Sequence, residues 1–212
     1  MRHPRIVLAA VIAIVSVVAS CSESPVEPEA PLTPTPNDTS LLVNSLAPAP
    51  GAPAIANPVV SFYAVAGQSR EVFMYYRSRP GRTDSTVFIR FKVSDGALLT
   101  RPNGTPFVNG DSILITMTLV DPARFIVRFS PSGLRFDPSD PAELEYNFLE
   151  ADDDLDEDGE ITATDSTYRA MLAIWKRENS TAPWIKQASI LAGDLDEIEV
   201  DVISFTDYII AW

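Results

Sequence analysis

Histidine and cysteine are almost absent from this 212-residue chain, which has one of each: His3 and Cys21. Both fall in the first 21 residues, so everything after Cys21 lacks an imidazole and a thiol. That excludes Ser-His-Asp and Cys-His catalysis from the rest of the chain. It also excludes zinc, copper and non-haem iron sites that depend on His or Cys, leaving oxygen-only sites for hard cations. A lone cysteine forms no internal disulfide, so an apolar core must hold the fold. Long apolar runs are missing too. Ile6 to Ala19 spans 14 residues, short of the roughly 20 needed to cross a bilayer. Basic residues are scarce, at 16 against 29 acidic. A surface of that sign repels phosphate backbones, and no nucleic-acid partner is expected.

The N-terminus has three parts. Met1-Arg2-His3-Pro4-Arg5 is basic, the run to Ala19 is apolar, and Val18-Ala19-Ser20 leads small residues into Cys21. An apolar run of this length suits a secretory signal. The placement of the only cysteine resembles a bacterial lipoprotein signal, cut before a cysteine that then carries lipid. The resemblance implies a signal peptide at 1–20, lipidation at Cys21 and a membrane partner reached through that lipid. The expected location is the bacterial cell envelope. Ser22 after the cysteine points to the outer membrane, periplasmic or surface face. Without Arg2 and Arg5 the remaining chain has 14 basic and 29 acidic residues, a formal charge of −15.

Residues 21–58 are expected to form a disordered tether. Residues 22–58 hold nine of the chain's 18 prolines, and proline removes an amide donor and fixes φ, which disfavours helix and central strand. Such a segment extends by roughly 3 Å per residue. Leu41, Leu42 and Val43 form its one apolar patch able to dock.

Residues 59–212 have the size of one domain. Strands are expected at 59–66, 70–77, 86–94, 112–120, 124–130, 142–148, 168–177, 184–191, 197–203 and 206–211. Several alternate with period two: Leu144, Tyr146 and Phe148 against Glu143, Glu145 and Asn147, and Ile198, Val200 and Val202 against Glu197, Glu199 and Asp201. Such alternation marks half-buried antiparallel strands. With turn clusters such as Ala66-Gly67-Gln68-Ser69 between them, the expected fold class is all-β, an antiparallel β-sandwich.

Residues 128–148 carry Pro131, Gly133, Leu134, Phe136, Pro138 and Leu144. This stretch resembles the signature of the ZU-type β-sandwich of zonula occludens proteins, ankyrins and netrin receptors. The closing segments around Trp175, Trp184 and Ser204-Phe205-Thr206-Asp207-Tyr208 resemble bacterial relatives, without their usual histidine. The resemblance covers roughly residues 86–212 and implies protein contacts or scaffolding. It transfers packing positions and no active site.

The stretch 152–165 reads DDDLDEDGEITATD. From Asp154 it follows the EF-hand order, with carboxylates at positions 1, 3 and 5 (Asp154, Asp156, Asp158) and Gly159 at the sharp turn. Glu160 offers a backbone carbonyl, Ile161 is expected to point into the core, Thr162 acts through water and Asp165 closes the loop. That Asp in place of Glu resembles dockerin-type loops. Six of the seven residues from Asp152 to Asp158 are acidic, and they repel one another without a cation. Calcium is the expected cofactor. Because AELEYNF (142–148) alternates like a strand, a two-helix EF-hand is not expected. After the loop a short helical turn or none should lead into a strand at Leu172-Ala173-Ile174-Trp175.

Trp175, Trp184 and Trp212 suit either sugar stacking or core packing, and packing is the commoner use. The resulting expectation is a monomeric, non-enzymatic, lipid-anchored sandwich, stiffened by calcium, with a protein or glycan partner or a structural role. The alternative is a hydrolase or accessory enzyme acting on extracellular or cell-wall polymer, which requires two converging carboxylates in a cleft away from the loop.

Overall fold

A computed structural model describes residues 41–42, 44–81 and 85–212. The expected signal at 1–20, the expected lipidation site Cys21 and the expected tether up to residue 40 lie outside them. Among the described residues no helix is long and apolar enough to cross a membrane.

The domain is an all-β sandwich of antiparallel sheets. One sheet has six strands in the order β1 (Val59–Val65), β5 (Ser112–Asp121), β6 (Ile126–Ser130), β13 (Asp207–Ala211), β9 (Ala173–Arg177) and β10 (Ile185–Lys186). The other has five, in the order β11 (Ser189–Ala192), β12 (Glu197–Val202), β8 (Ala142–Asn147), β3 (Val87–Val93) and β2 (Arg70–Tyr75). A small ribbon joins β4 (Leu98–Thr100) to β7 (Arg135–Phe136). One helix, α1 (Ala163–Met171), follows the acidic loop.

Alternation positions the core. In β8, Ala142, Leu144 and Tyr146 are buried while Glu143, Glu145 and Asn147 are half-exposed. In β12, Ile198, Val200 and Val202 point the same way. These strands meet in register, with Val200 opposite Leu144 and Ile198 opposite Tyr146. Aromatic rings lock the layers together. Phe91 of β3 lies 4.8 Å from Phe129 of β6 and 6.3 Å from Phe62 of β1, centroid to centroid. Leu134, Phe136 and Leu144 are fully buried, as a packing role requires. Gly133, at φ +85°, sits where a Cβ would approach the Pro102 backbone at 3.4 Å.

The outer face of the five-stranded sheet is charged. Arg90 reaches Glu145 at 2.7 Å, Glu71 at 3.1 Å and Glu199 at 3.1 Å. Lys92 holds Glu143 at 2.8 Å. Hydrogen bonding to Glu145 raises the Arg90 guanidinium well above its ordinary range, and this half-exposed group stays charged.

Three expectations change. First, the folded unit begins before residue 59. Leu41 and Leu46 are buried, and a strap over 44–58 pairs in turn with β13, with the chain after β8 and with the edge of β2. Prolines interrupt this strap, so it makes single bridges rather than a strand: Ser45 with Ala211, Pro48 with Ala151 and Ile55 with Tyr76. Second, 184–191 is not one strand. The chain crosses between layers at Gln187, so β10 and β11 belong to different sheets. Third, 168–177 splits into the end of α1 and β9.

Trp184 is fully buried and Trp175 nearly so. They pack with Leu41, Ile126, Ile209 and Ala211 in a second cluster apart from the main core. Neither is placed to stack on a sugar.

Candidate metal centre

The acidic loop is the crossover from β8 in one sheet to β9 in the other, and α1 completes it. Its shape comes from side chains bonding to nearby backbone. Asp154 accepts from Gly159 N–H at 2.8 Å and from Asp158 N–H at 3.2 Å. Asp158 accepts from Glu160 N–H at 2.8 Å. Gly159 takes φ +90°, the left-handed turn that glycine adopts without strain. These bonds bring carboxylate oxygens of Asp154, Asp156 and Asp158 within 4.8 Å of one another. Three oxygens at that spacing can face one cation at the 2.3–2.6 Å typical of calcium.

The electrostatics fit. Loss of solvation, then the neighbouring carboxylates of Asp158 and Asp165, raise the Asp156 carboxyl above its ordinary value. A raised carboxyl opposes folding at neutral pH, where it must ionise in a costlier setting than in the unfolded chain. A bound cation reverses that penalty.

Asp165 takes a different position from the other three. It is the third residue of α1, only 3 % exposed. One carboxylate oxygen accepts from Leu155 N–H at 2.7 Å and Asp156 N–H at 3.3 Å. The other accepts from Thr162 N–H at 2.7 Å and the Thr162 hydroxyl at 3.2 Å. Thr162 is the N-cap, and its hydroxyl accepts from Thr164 N–H at 3.1 Å. Together they form a capping box. Asp165 thus folds the loop back onto the helix, and the described metal-capable group does not include it. Glu160 is exposed at the loop's rim, its N–H on Asp158. Ile161 does not enter the core; it is 72 % exposed, and Leu155, 7 % exposed, is the loop's core residue instead. Arg169 of α1 ties the loop to the sandwich through ion pairs with Asp153 and Asp196.

The Thr162-x-x-Asp165 spacing is a capping-box signature, visible in the sequence but masked by its overlap with loop positions 9 and 12. The hydrogen bonds from Thr162 N–H, then from Leu155 and Asp156, hold the Asp165 carboxyl below its ordinary value of 3.8. A lowered value stabilises the fold above pH 3.8, and that stability is lost as pH falls through the lower folded value. Asp165→Asn should therefore lower the melting temperature at pH 7 even in EDTA. The gap from wild type should narrow once the pH drops below 3.8, as followed by circular dichroism. An unchanged melt at pH 7 would remove the capping role.

Other carboxylates converge elsewhere. Glu143, Glu145 and Glu199 surround Arg90 on an open sheet face. Asp207, 3 % exposed, accepts from Arg128 at 2.6 Å and Arg177 at 3.2 Å. It shares the wall of a cavity of about 280 Å³ with Glu178 and Thr206. Lys176 pairs with Glu178 at 3.3 Å, so both carboxylates of that cavity are held by cationic side chains. No protein-family model, curated protein or solved structure matches the chain.

Proposed function

We propose that this protein is a lipid-anchored, non-enzymatic sandwich of the bacterial cell envelope, stabilised by calcium at its acidic crossover, for protein or glycan interaction or a structural role. The convergence of Asp154, Asp156 and Asp158 carries this reading. The Glu160 carbonyl and a water held by Thr162 are the further ligands that the loop order supplies. Cys21 and the proline-rich stretch after it support the anchored placement. The packing of Leu134, Phe136 and Leu144 is in keeping with the resemblance to ZU-type sandwiches.

With Asp165 committed to capping, three carboxylates remain for the ion. That suits the weaker end of calcium loops, with Kd on the order of 10⁻⁴–10⁻³ M as in extracellular modules. A hundredfold excess of calcium over Kd stabilises by about 2.7 kcal/mol, equivalent to a melting shift of about 5–10 °C for a domain of this size. Asp156→Ala should abolish the shift. In EDTA the same variant should melt no lower than wild type, because the Asp156 carboxyl is raised in the fold. A melting curve unmoved by saturating calcium would sink the metal reading.

A further inference from the structure

Beside the acidic loop lies a cavity of about 370 Å³, within the size range of small-ligand sites. One part of its wall is aromatic. Tyr168 of α1 and Trp212 stack with ring centroids 5.7 Å apart and planes 27° from parallel. Both rings are half-buried, and both line the cavity. The rim is acidic, formed by Asp156 and Glu157, and among the described residues no lysine or arginine lines the space. Leu155, 7 % exposed, and Met171, 50 % exposed, add apolar lining. Aromatic rings with carboxylates at the rim, and no lysine or arginine among the described lining residues, suit an organic cation. The ring quadrupole would attract the charge, Glu157 would pair with it whether or not Asp156 is engaged by a metal ion, and the apolar lining would take a methylene stem.

The chain does not supply that cation from its own N-terminal arm. Between Cys21 and Arg70 there is no lysine or arginine, whereas Glu23, Glu27, Glu29 and Asp38 are all acidic. Arg169, the neighbour of Tyr168 in α1, is engaged by Asp153, Asp196 and the Phe148 ring. We propose that this cavity binds a lysine or arginine side chain presented by another polypeptide. The charge balance agrees: a chain with 29 acidic and 16 basic residues favours a basic partner. The inference identifies a partner chemistry for the interaction role proposed above, yet it needs no calcium.

The test uses the full chain in EDTA, so that failure of calcium binding leaves it intact. Three probes are titrated while the Trp212 indole is followed by NMR: acetyl-Gly-Lys-Gly-amide, the same peptide with norleucine for lysine, and tetramethylammonium. The lysine peptide should shift Trp212 saturably and the norleucine peptide should not. Tetramethylammonium should bind more weakly than the lysine peptide. Glu157→Gln, outside the group of three aspartates, should weaken the lysine peptide by about threefold or more. Tyr168→Leu, which keeps the Trp212 indole as reporter, should weaken it about fivefold, with a melting curve confirming the fold. Equal binding of the norleucine peptide, no saturable shift, or an affinity unchanged in Glu157→Gln would each overturn the proposal. Tetramethylammonium binding as tightly as the peptide would also overturn it, and would reassign the site to small quaternary ammonium ions.

Discussion

A chain that begins at Val59 should melt far below one that begins at Leu41, or fail to fold. Leu41 and Leu46 are 1 % and 2 % exposed. Leu41 covers the outer cluster of Ile126, Trp175, Trp184 and Ile209, and Leu46 enters the main core. Burying each is worth about 1.5–3 kcal/mol, a large share of the roughly 5–15 kcal/mol that holds a typical domain. The backbone adds to this. Strand β6 pairs with β13 only at Asp207 and Tyr208. Further along β13 that side is taken by the strap: Leu46 N–H donates to Ile210 C=O at 3.1 Å, and Trp212 N–H donates to Asn44 C=O at 3.1 Å. The strap also braces the base of the acidic loop, where Asp152 N–H donates to Ala47 C=O at 2.9 Å. Removing 41–58 uncovers both leucine sites and strips these partners at once. Thermal denaturation of the two chains decides it. Melting points that agree within about 2 °C, the effect of less than 1 kcal/mol at this size, would show that the strap is ornamental and the boundary at 59 correct.

The sandwich was legible because its strands alternate. AELEYNF and EIEVDV place every second residue in the core, and a period of two over six residues is hard to mistake. The failures have local causes. β4 and β7 have three and two residues, too few to show any period. At the start of β6 Phe125 takes φ +53°, and the strand begins at Ile126, two residues later than the expected 124. Helix α1 lacks an apolar stripe strong enough to announce it: Met171 is 50 % exposed and Asp165 is the helix's buried residue. It is held by its cap, by Arg169 and by the packing of Tyr168 on the core rather than by a continuous apolar face. The strap was hidden by composition. Nine prolines in 22–58 argue correctly against regular structure, but not against burial of the leucines between them. In the loop, the Asp-x-Asp-x-Asp-Gly spacing placed three carboxylates together. It did not reveal that three backbone N–H groups would claim the fourth. The aromatic cavity had no local signal at all, since Tyr168 and Trp212 meet only through the fold.

The second large effect is expected at Phe91. Its ring is fully buried in β3, flanked by β8 and β2. It contacts rings from several separate elements: Phe129 at 4.8 Å, Phe205 at 5.8 Å, Phe62 at 6.3 Å and Phe136 at 6.4 Å. Phe62 and Phe129 belong to the opposite sheet, so Phe91 is where the two layers interlock. Truncation to alanine removes the apolar surface and leaves a hole that the surrounding rings, three of them on strands and Phe205 on the β12–β13 connection, cannot close. Phe→Ala at such a site costs about 3–5 kcal/mol, or about 6–20 °C in melting temperature for a domain of this size. Phe73 provides the contrast within the same β2–β3 hairpin. It is half-exposed, opposite Arg90 in the register, and Tyr75, at 5.9 Å, is its ring neighbour. Phe73→Ala should cost less than half as much. Calcium should not restore Phe91→Ala, because the hole lies between the sheets and the acidic loop lies at their crossover. Equal losses at Phe91 and Phe73 would mean that the hold between layers is spread evenly over the strands rather than concentrated in this ring cluster.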